Sequence, residues 1–339
     1  MALAFLLLTP SAGAAKDTVT ISGRAYAFNH MDTYLAGAEI RIRELPKLSA
    51  TTDVNGDYSL EVPDDTNVTP YIEPPDGYNQ IDLQTFHTRG ADIENANFQT
   101  PGDLEYNGLA ALLAVPMGPD GRPVDCVIVT TASDRDVRGV DYDTFHARTP
   151  HGVPGARAQT RPPVPGPTYF NESVIPDPSK TETSEDGGII WTEVPAGTYR
   201  VVTTSPSTRF ASFLATCAPG RVVNANPPWG AYELSPGEKP LGAGAVAASV
   251  IDATVDRRAK GRPVADLTIR AGEAVGASVV VRSDGKRVGH LTTRIRLARD
   301  RSIHIPLKAL AGSRRVGLQV QLVDDAEERS RSSQSVRVR

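Results

Sequence analysis

The chain predicts an all-β protein of three β-sandwich modules in tandem. Three observations carry that expectation. Apolar and polar residues alternate with period two along most of the 339 residues. The chain holds 29 Gly and 27 Pro, the composition of many short strands joined by turns. One strand-turn-strand phrase is written twice, as TTDVNGDYSLEVP at residues 51–63 and as TETSEDGGIIWTEVP at residues 181–195. A chain of this length exceeds what one hydrophobic core supports, so two or three domains are expected.

The N-terminus, residues 1–15, reads as a signal peptide. MALAFLLLTPSAGAAKD has an apolar run over Ala2–Leu8, a helix-breaking Pro10 and the small residues Ala12-Gly13-Ala14 of an A-x-A cleavage pattern. The run is too short to span a bilayer, and no later stretch reaches ~18 apolar residues. The expectation is a secreted protein with no membrane span, released or held non-covalently at the cell surface.

Residues 17–100 form the first predicted sandwich. TVTISGRAYAF alternates as a strand, and in LAGAEIRIREL the residues Ala38, Ile40 and Ile42 share one face. Asp53-Val54-Asn55-Gly56-Asp57 is turn chemistry, read here as a β-hairpin, with Tyr58, Leu60 and Val62 pointing inward afterwards. Residues 101–235 form the second. After DCVIVTT a Gly-Ala element recurs at Gly155-Ala156, followed by the second copy of the phrase. Thr51 aligns with Thr183, Gly56 with Gly188, and Glu61-Val62-Pro63 with Glu193-Val194-Pro195. The second copy carries 26 residues between these elements (157–182) against 12 in the first (39–50). The insertion includes RPPVPGPTYFNESVIPDPSK, too rich in Pro for a sheet interior and expected as an ordered surface loop or flap.

Two cysteines, Cys126 and Cys217, each lie in a strand pattern. An exported protein with an even, small cysteine count predicts one disulfide between them. The rival reading is a reactive or metal-binding thiol pair, but there is no C-x-x-C and no His beside either Cys. Residues 236–250 are a small-residue linker containing Gly and Pro. Residues 251–339 alternate throughout, with a hairpin turn at Ser283-Asp284-Gly285-Lys286.

The repeated phrase is similar to the carboxypeptidase regulatory-like family of prealbumin-like β-sandwiches. That family's V-x-G-x-V, GA-x-V and T-x-x-x-G-x-Y/F-x-L/V-x-V-P-x-G-x-Y pattern corresponds here to Ile21-Ser22-Gly23, Gly37-Ala38-Glu39-Ile40 and Thr52 to Pro63. In the second copy it corresponds to Gly155-Ala156, Thr183 to Pro195, and Ala196-Gly197-Thr198-Tyr199. The first copy departs from the pattern, since DDTNV follows Pro63 in place of G-x-Y. The resemblance implies non-catalytic accessory modules related in fold to some carbohydrate-binding domains. The stretch from Tyr169 through Pro227–Gly230 resembles secreted proteins of actinobacterial type. The basic last unit is similar to the immunoglobulin-like sandwiches that end many of them.

Net charge is −4, but residues 241–339 carry 19 Lys/Arg against 10 Asp/Glu, while the remaining 240 carry 17 against 30. The basic unit suits an anionic cell-wall polymer, and its outward Arg and Lys also discourage edge-to-edge aggregation. It contains no Trp, Tyr or Phe, so nucleic acid finds no stacking platform there and is not an expected partner.

No catalytic set emerges, and the expectation is not an enzyme, with no cofactor and no metal. There is no G-x-S-x-G and no phosphate-binding glycine loop. Asp53, Asn55, Asp57 and Asp64 hint at a Ca²⁺ loop, but Gly falls at the fourth place instead of the sixth. The distant alternative is a metal-dependent enzyme of intradiol dioxygenase type, whose sandwich binds iron through two Tyr and two His. Its candidates would be Tyr142, His146, His151 and Tyr169, although that family's H-x-H is missing.

Aromatic residues are the clue to a ligand. Tyr169, Phe170 and Trp229 lie in or beside Pro-rich loop, where exposed rings could stack on sugar faces. Trp191 reads as core. The expected function is therefore extracellular binding or cell-envelope association, with polysaccharide as the ligand class. The alternative is a purely structural spacer.

Overall fold

The computed structural model describes residues 18–238, 246–257, 262–296, 298–308, 310, 312–324 and 329–339. The signal-peptide segment and residues 239–245 of the expected linker lie outside the described residues. The described residues form twenty-five strands and two short α-helices, and the protein is all-β as the alternation predicts.

In the first unit Thr18–Ala27 pairs antiparallel with Asp57–Pro63 and with His30–Tyr34, and parallel with Phe98–Thr100. The facing sheet is Leu45–Thr51, Glu39–Ile42 and Pro70–Glu73. Period-two burial matches the sequence: Val19 and Ile21 meet Tyr58, Leu60 and Val62 across a core that also takes Ile40 and Ile42.

The expected hairpin at Asp53–Asp57 is instead an arch. Leu45–Thr51 and Asp57–Pro63 belong to different sheets and do not pair with one another. The turn chemistry is nevertheless what the letters promise. Asp53 Oδ1 accepts from the backbone N–H of Asn55 (2.8 Å) and of Asp57 (2.9 Å), and Gly56 takes φ +75°. Asp57 is held by Arg24, at 2.6 Å between Nε and Oδ1, so these carboxylates serve the turn and an ion pair.

The repeat has a physical meaning that its letters only partly disclose. Thr52 Oγ1 accepts from Ala38 N–H (2.9 Å) and donates to Leu35 O (2.5 Å), while the backbones of Thr52 and Gly37-Ala38 bond each other. Thr183 does the same: its Oγ1 accepts from Ala156 N–H (2.9 Å) and donates to Val153 O (2.6 Å), with Gly155 and Ala156 as backbone partners. Both hydroxyls close the Gly-Ala turn onto the start of the arch, satisfying buried backbone groups that water does not reach.

The structural register is therefore Thr52 with Thr183, not Thr51. Likewise Gly56 matches Gly187 (φ +77°), not Gly188. A Cβ on either glycine would strike a carbonyl oxygen, of Ala25 or of Ala132. The one-residue discrepancy is absorbed by a bulge. Val62 and Leu60 face Val19 and Ile21, two residues apart on both strands, whereas Val194 and Trp191, three apart, face Cys126 and Ile128.

The second unit packs a six-stranded sheet (including Cys126–Ser133, Gly188–Val194, Thr168–Phe170 and Val222–Ala225) on a three-stranded one, Arg157–Arg161, Gly197–Thr204 and Phe213–Cys217. The Pro-rich insertion does not stay a loop. Thr168–Phe170 pairs with Gly188–Val194, and Pro176–Asp177 pairs with Thr168–Phe170 at the sheet edge, where a proline costs no ladder bond. The Cys126–Cys217 disulfide forms, with Cα atoms 5.5 Å apart, and ties the two sheets together.

The first two units are fused. Asp82 bridges Tyr71 on one side and Val223 on the other, so the sheets run on through it. Its N–H donates to Val222 O (2.8 Å), Asn224 N–H donates back to Asp82 O (2.8 Å), and Thr85 N–H donates to Leu214 O (2.7 Å). The Asp82 carboxylate is buried under Arg43, which forks onto it at 2.6 and 2.9 Å. Ala211, Tyr232 and Leu234 of the second unit complete the first unit's core.

The third unit is a sandwich of three- and four-stranded sheets around its own core. Its predicted hairpin turn is present, with Asp284 and Gly285 both at positive φ between Val275–Ser283 and Lys286–Ile295. It docks through a buried ion cluster. Arg200 on Gly197–Thr204 reaches Glu273 (Nε to Oε2, 2.5 Å) and Asp324 (3.2 Å), and donates to Ser212 Oγ (2.8 Å).

Candidate functional site

The strands at the centre of the second sheet are apolar on both faces. Along Cys126–Ser133, Cys126 and Ile128 enter the sandwich core while Val127 points the other way. Along Gly188–Val194, Ile189 and Trp191 face the core and Ile190 faces outward. Such uninterrupted runs, CVIV and IIW, belong to strands covered on both sides. The second cover is a helix, α1 (Asp103–Leu112), which the sequence reading does not anticipate. Asp103 and Glu105 sit in its first turn, where the helix dipole favours carboxylates. Tyr106, Leu109, Ala110 and Leu113, at the i, i+3, i+4, i+7 spacing of one helical face, turn toward the sheet.

Between α1 and the sheet lies a cavity of about 410 Å³. Tyr26, Phe28 and Ile81 of the first unit close one wall, so the cavity is bounded by both fused units. Met31 and Val174, both exposed, form part of its rim and open it to solvent.

A second helix, α2 (Tyr142–Ala147), carries the polar end. Asp141 caps it, accepting from Thr144 N–H and Oγ1, each at 2.9 Å. Tyr142 pins it to the first unit: its hydroxyl donates to Met31 O (2.8 Å), and the Arg24 guanidinium lies 4.7 Å from its ring centre. His146 packs edge-on against Tyr142 (4.3 Å between ring centres) and Tyr26 (5.1 Å), and His151 stacks on Phe145 (5.1 Å). Both histidines line the cavity, as do Asn224 and Asp186.

Burial sets the charge here. It lowers the His146 imidazole to about 4, with neighbouring His151 adding to the effect, and it lowers His151 as well. Both rings are neutral at neutral pH. Burial raises the Asp186 carboxyl against the backbone N–H of Gly188, which donates to it at 3.0 Å. Among the described residues, the buried atoms His146 Nε2, His151 Nδ1 and Asn224 Oδ1 have no hydrogen-bond partner. The Asn224 amide nitrogen is turned toward Gln99 O at 3.4 Å.

The expected sugar platform is not assembled. Tyr169 and Phe170 are neighbours on one strand, so their rings point to opposite faces. Tyr169 is 4% exposed in the sandwich core, its hydroxyl accepting from Ala158 N–H (3.0 Å). Phe170, 7% exposed, faces the cavity. Trp229 wedges between the first two units, donating from Nε1 to Glu94 O (2.8 Å) with its ring edge-on to Phe86. Of the four residues weighed as an iron set, Tyr142, His146 and His151 come together, and Tyr169 does not. Among the described residues no group of three or more His, Cys, Asp or Glu is placed to hold a metal ion.

No protein-family model matches this chain, and no curated protein matches it either. Among solved structures it is similar to BcpA, the major pilin subunit of Bacillus cereus, at 10% identity over 63% of this chain and 69% of that one, TM-score 0.19. A streptococcal ancillary pilin matches at 9% identity over 95% and 98%, TM-score 0.20. A Ca²⁺-stabilised adhesin of an ice-binding Antarctic bacterium matches at 14% over 96% and 70%, TM-score 0.20. Likeness at these TM-scores carries no argument about function. The class that the fold and site define rests on the strands themselves: an all-β protein of fused sandwiches with a helix-roofed cavity.

Proposed function

We propose that the chain is a non-catalytic binding protein of the cell exterior, holding a small ligand in the cavity between its first two sandwiches. The observation that carries this is an apolar hollow of about 410 Å³ roofed by α1, within the ~300–1,000 Å³ typical of small-ligand sites. The buried disulfide supports an oxidising compartment. The turn grammar shared with carboxypeptidase regulatory-like modules supports an accessory role.

The test is a titration with N-phenyl-1-naphthylamine, a neutral apolar fluorophore. Saturable one-site binding is expected, weakened at least about tenfold in Ala110→Trp, which projects an indole from the roof into the hollow. Equal binding by both proteins, with circular dichroism showing both folded, contradicts the reading.

The third unit supports a second contact. Arg329, Arg331 and Arg337 are exposed on its edge strand Arg329–Arg337, which suits an anionic cell-wall polymer. A neutral polysaccharide keeps only Trp229 of the three aromatic candidates as a partly accessible ring.

A further inference from the structure

We infer that the ligand of this cavity is a neutral alcohol with an aromatic or alicyclic body, its hydroxyl seated among His146, His151 and Asn224. This rests on the cavity being a ligand site. Three features of the lining select the class.

The first is charge. Among the described residues no Lys or Arg lines the cavity, and Asp186 is the only carboxyl group that does. An anion would enter with no cation to meet it, at a large desolvation cost. The second is the apolar majority: Val127, Ile190 and Phe170 from the sheet and Leu109 from the roof offer no polar atoms to a sugar's ring of hydroxyls. The third is the polar end. Asn224 Oδ1 can only accept, so the ligand must donate there. A neutral imidazole carries one N–H and one bare nitrogen, so His146 and His151 each accept at one nitrogen or donate at the other. A hydroxyl both donates and accepts, which no hydrocarbon, ether or carboxylate does. A seated hydroxyl can donate to Asn224 Oδ1 and accept from an imidazole N–H, hydrogen bonds that a hydrocarbon of the same shape cannot make.

Equilibrium dialysis of the full chain at pH 7.5 against 2-naphthol, naphthalene and 2-naphthoate tests the class. The expected result is one-site binding of 2-naphthol about tenfold tighter than naphthalene, the span one or two buried hydrogen bonds provide. Naphthoate should bind no better than naphthalene. His146→Phe keeps the ring and removes its nitrogens; Asn224→Leu removes the acceptor. Each should bring 2-naphthol down to the naphthalene level and leave naphthalene unchanged. Naphthalene binding as well as 2-naphthol, or naphthoate binding best, overturns the ligand class while leaving the cavity as a site. Failure of all three compounds to bind overturns both. The ligand series on the unaltered protein decides the matter even where a variant does not fold.

Discussion

Replacing Arg200 with Met should destabilise the protein by roughly 3–5 kcal/mol, the loss seen when one member of a buried ion cluster is removed. Arg200 is 2% exposed, and its guanidinium stands between Glu273 and Asp324, both carried by the third unit and both buried. Without it, Glu273 and Asp324 lose the guanidinium they share away from water. They must then take up a proton, or the third unit must separate from the second. Glu273 also accepts the Ala247 N–H at 2.6 Å, so its displacement would reach the entry to that unit. Thermal unfolding should shift down by ~10 °C. Replacing Arg200, Glu273 and Asp324 together with apolar residues of similar volume should restore most of the loss, because no buried charge is then left unpaired. An unchanged transition in Arg200→Met would show that the cluster does not hold the units together.

Removing the disulfide should have an effect of similar size. Cys126 and Cys217 lie 91 residues apart in sequence and join the two sheets of the second sandwich. A cross-link closing so long a loop removes denatured-chain entropy worth ~4–5 kcal/mol, less any strain in the folded state. The double variant Cys126→Ala/Cys217→Ala should lose ~3–5 kcal/mol in urea denaturation with its midpoint lowered accordingly. The loop so closed contains α2, His151 and the strands Cys126–Ser133 and Gly188–Val194 beneath the cavity, so ligand binding should weaken before global unfolding is reached. A midpoint equal to that of the unaltered protein would mean that the sheets hold without the cross-link.

Much of the architecture was legible in the residues. Alternation found the strands and Asp284-Gly285 found the hairpin of the third unit, while Gly-Ala and Thr marked the repeat without disclosing that the Thr hydroxyl closes the turn. What alternation cannot say is which sheet a strand joins, so the arch at Asp53–Asp57 read as a hairpin. A bulge adds one residue without changing composition, and the repeat register therefore slipped between Thr52 and Thr51. The fusion of the first two units depends on residues 81–85, whose partners in the second unit lie more than 100 residues away and leave no local mark.

The cavity was half legible. CVIV and IIW announce strands covered on both faces, and Tyr106, Leu109, Ala110 and Leu113 announce a helix able to cover them, but Gly108 in its middle and its short length masked it. The aromatic trio was misplaced for a reason the sequence already contains: consecutive strand residues cannot share a face. The histidines, though named, were separated by Pro150 and five positions, and only the folding of α2 against Tyr26 brings them to one end of the hollow.

The cavity exists only because residues 81–85 lock the first sandwich to the second. Native-state hydrogen exchange of the Asp82 and Thr85 amides reads that lock directly. Bonded to Val222 O and Leu214 O, both should be protected to the same free energy as the core strand Cys126–Ser133. Exchange at the rate of an exposed loop would mean that the two sandwiches are separate bodies and that no shared cavity lies between them.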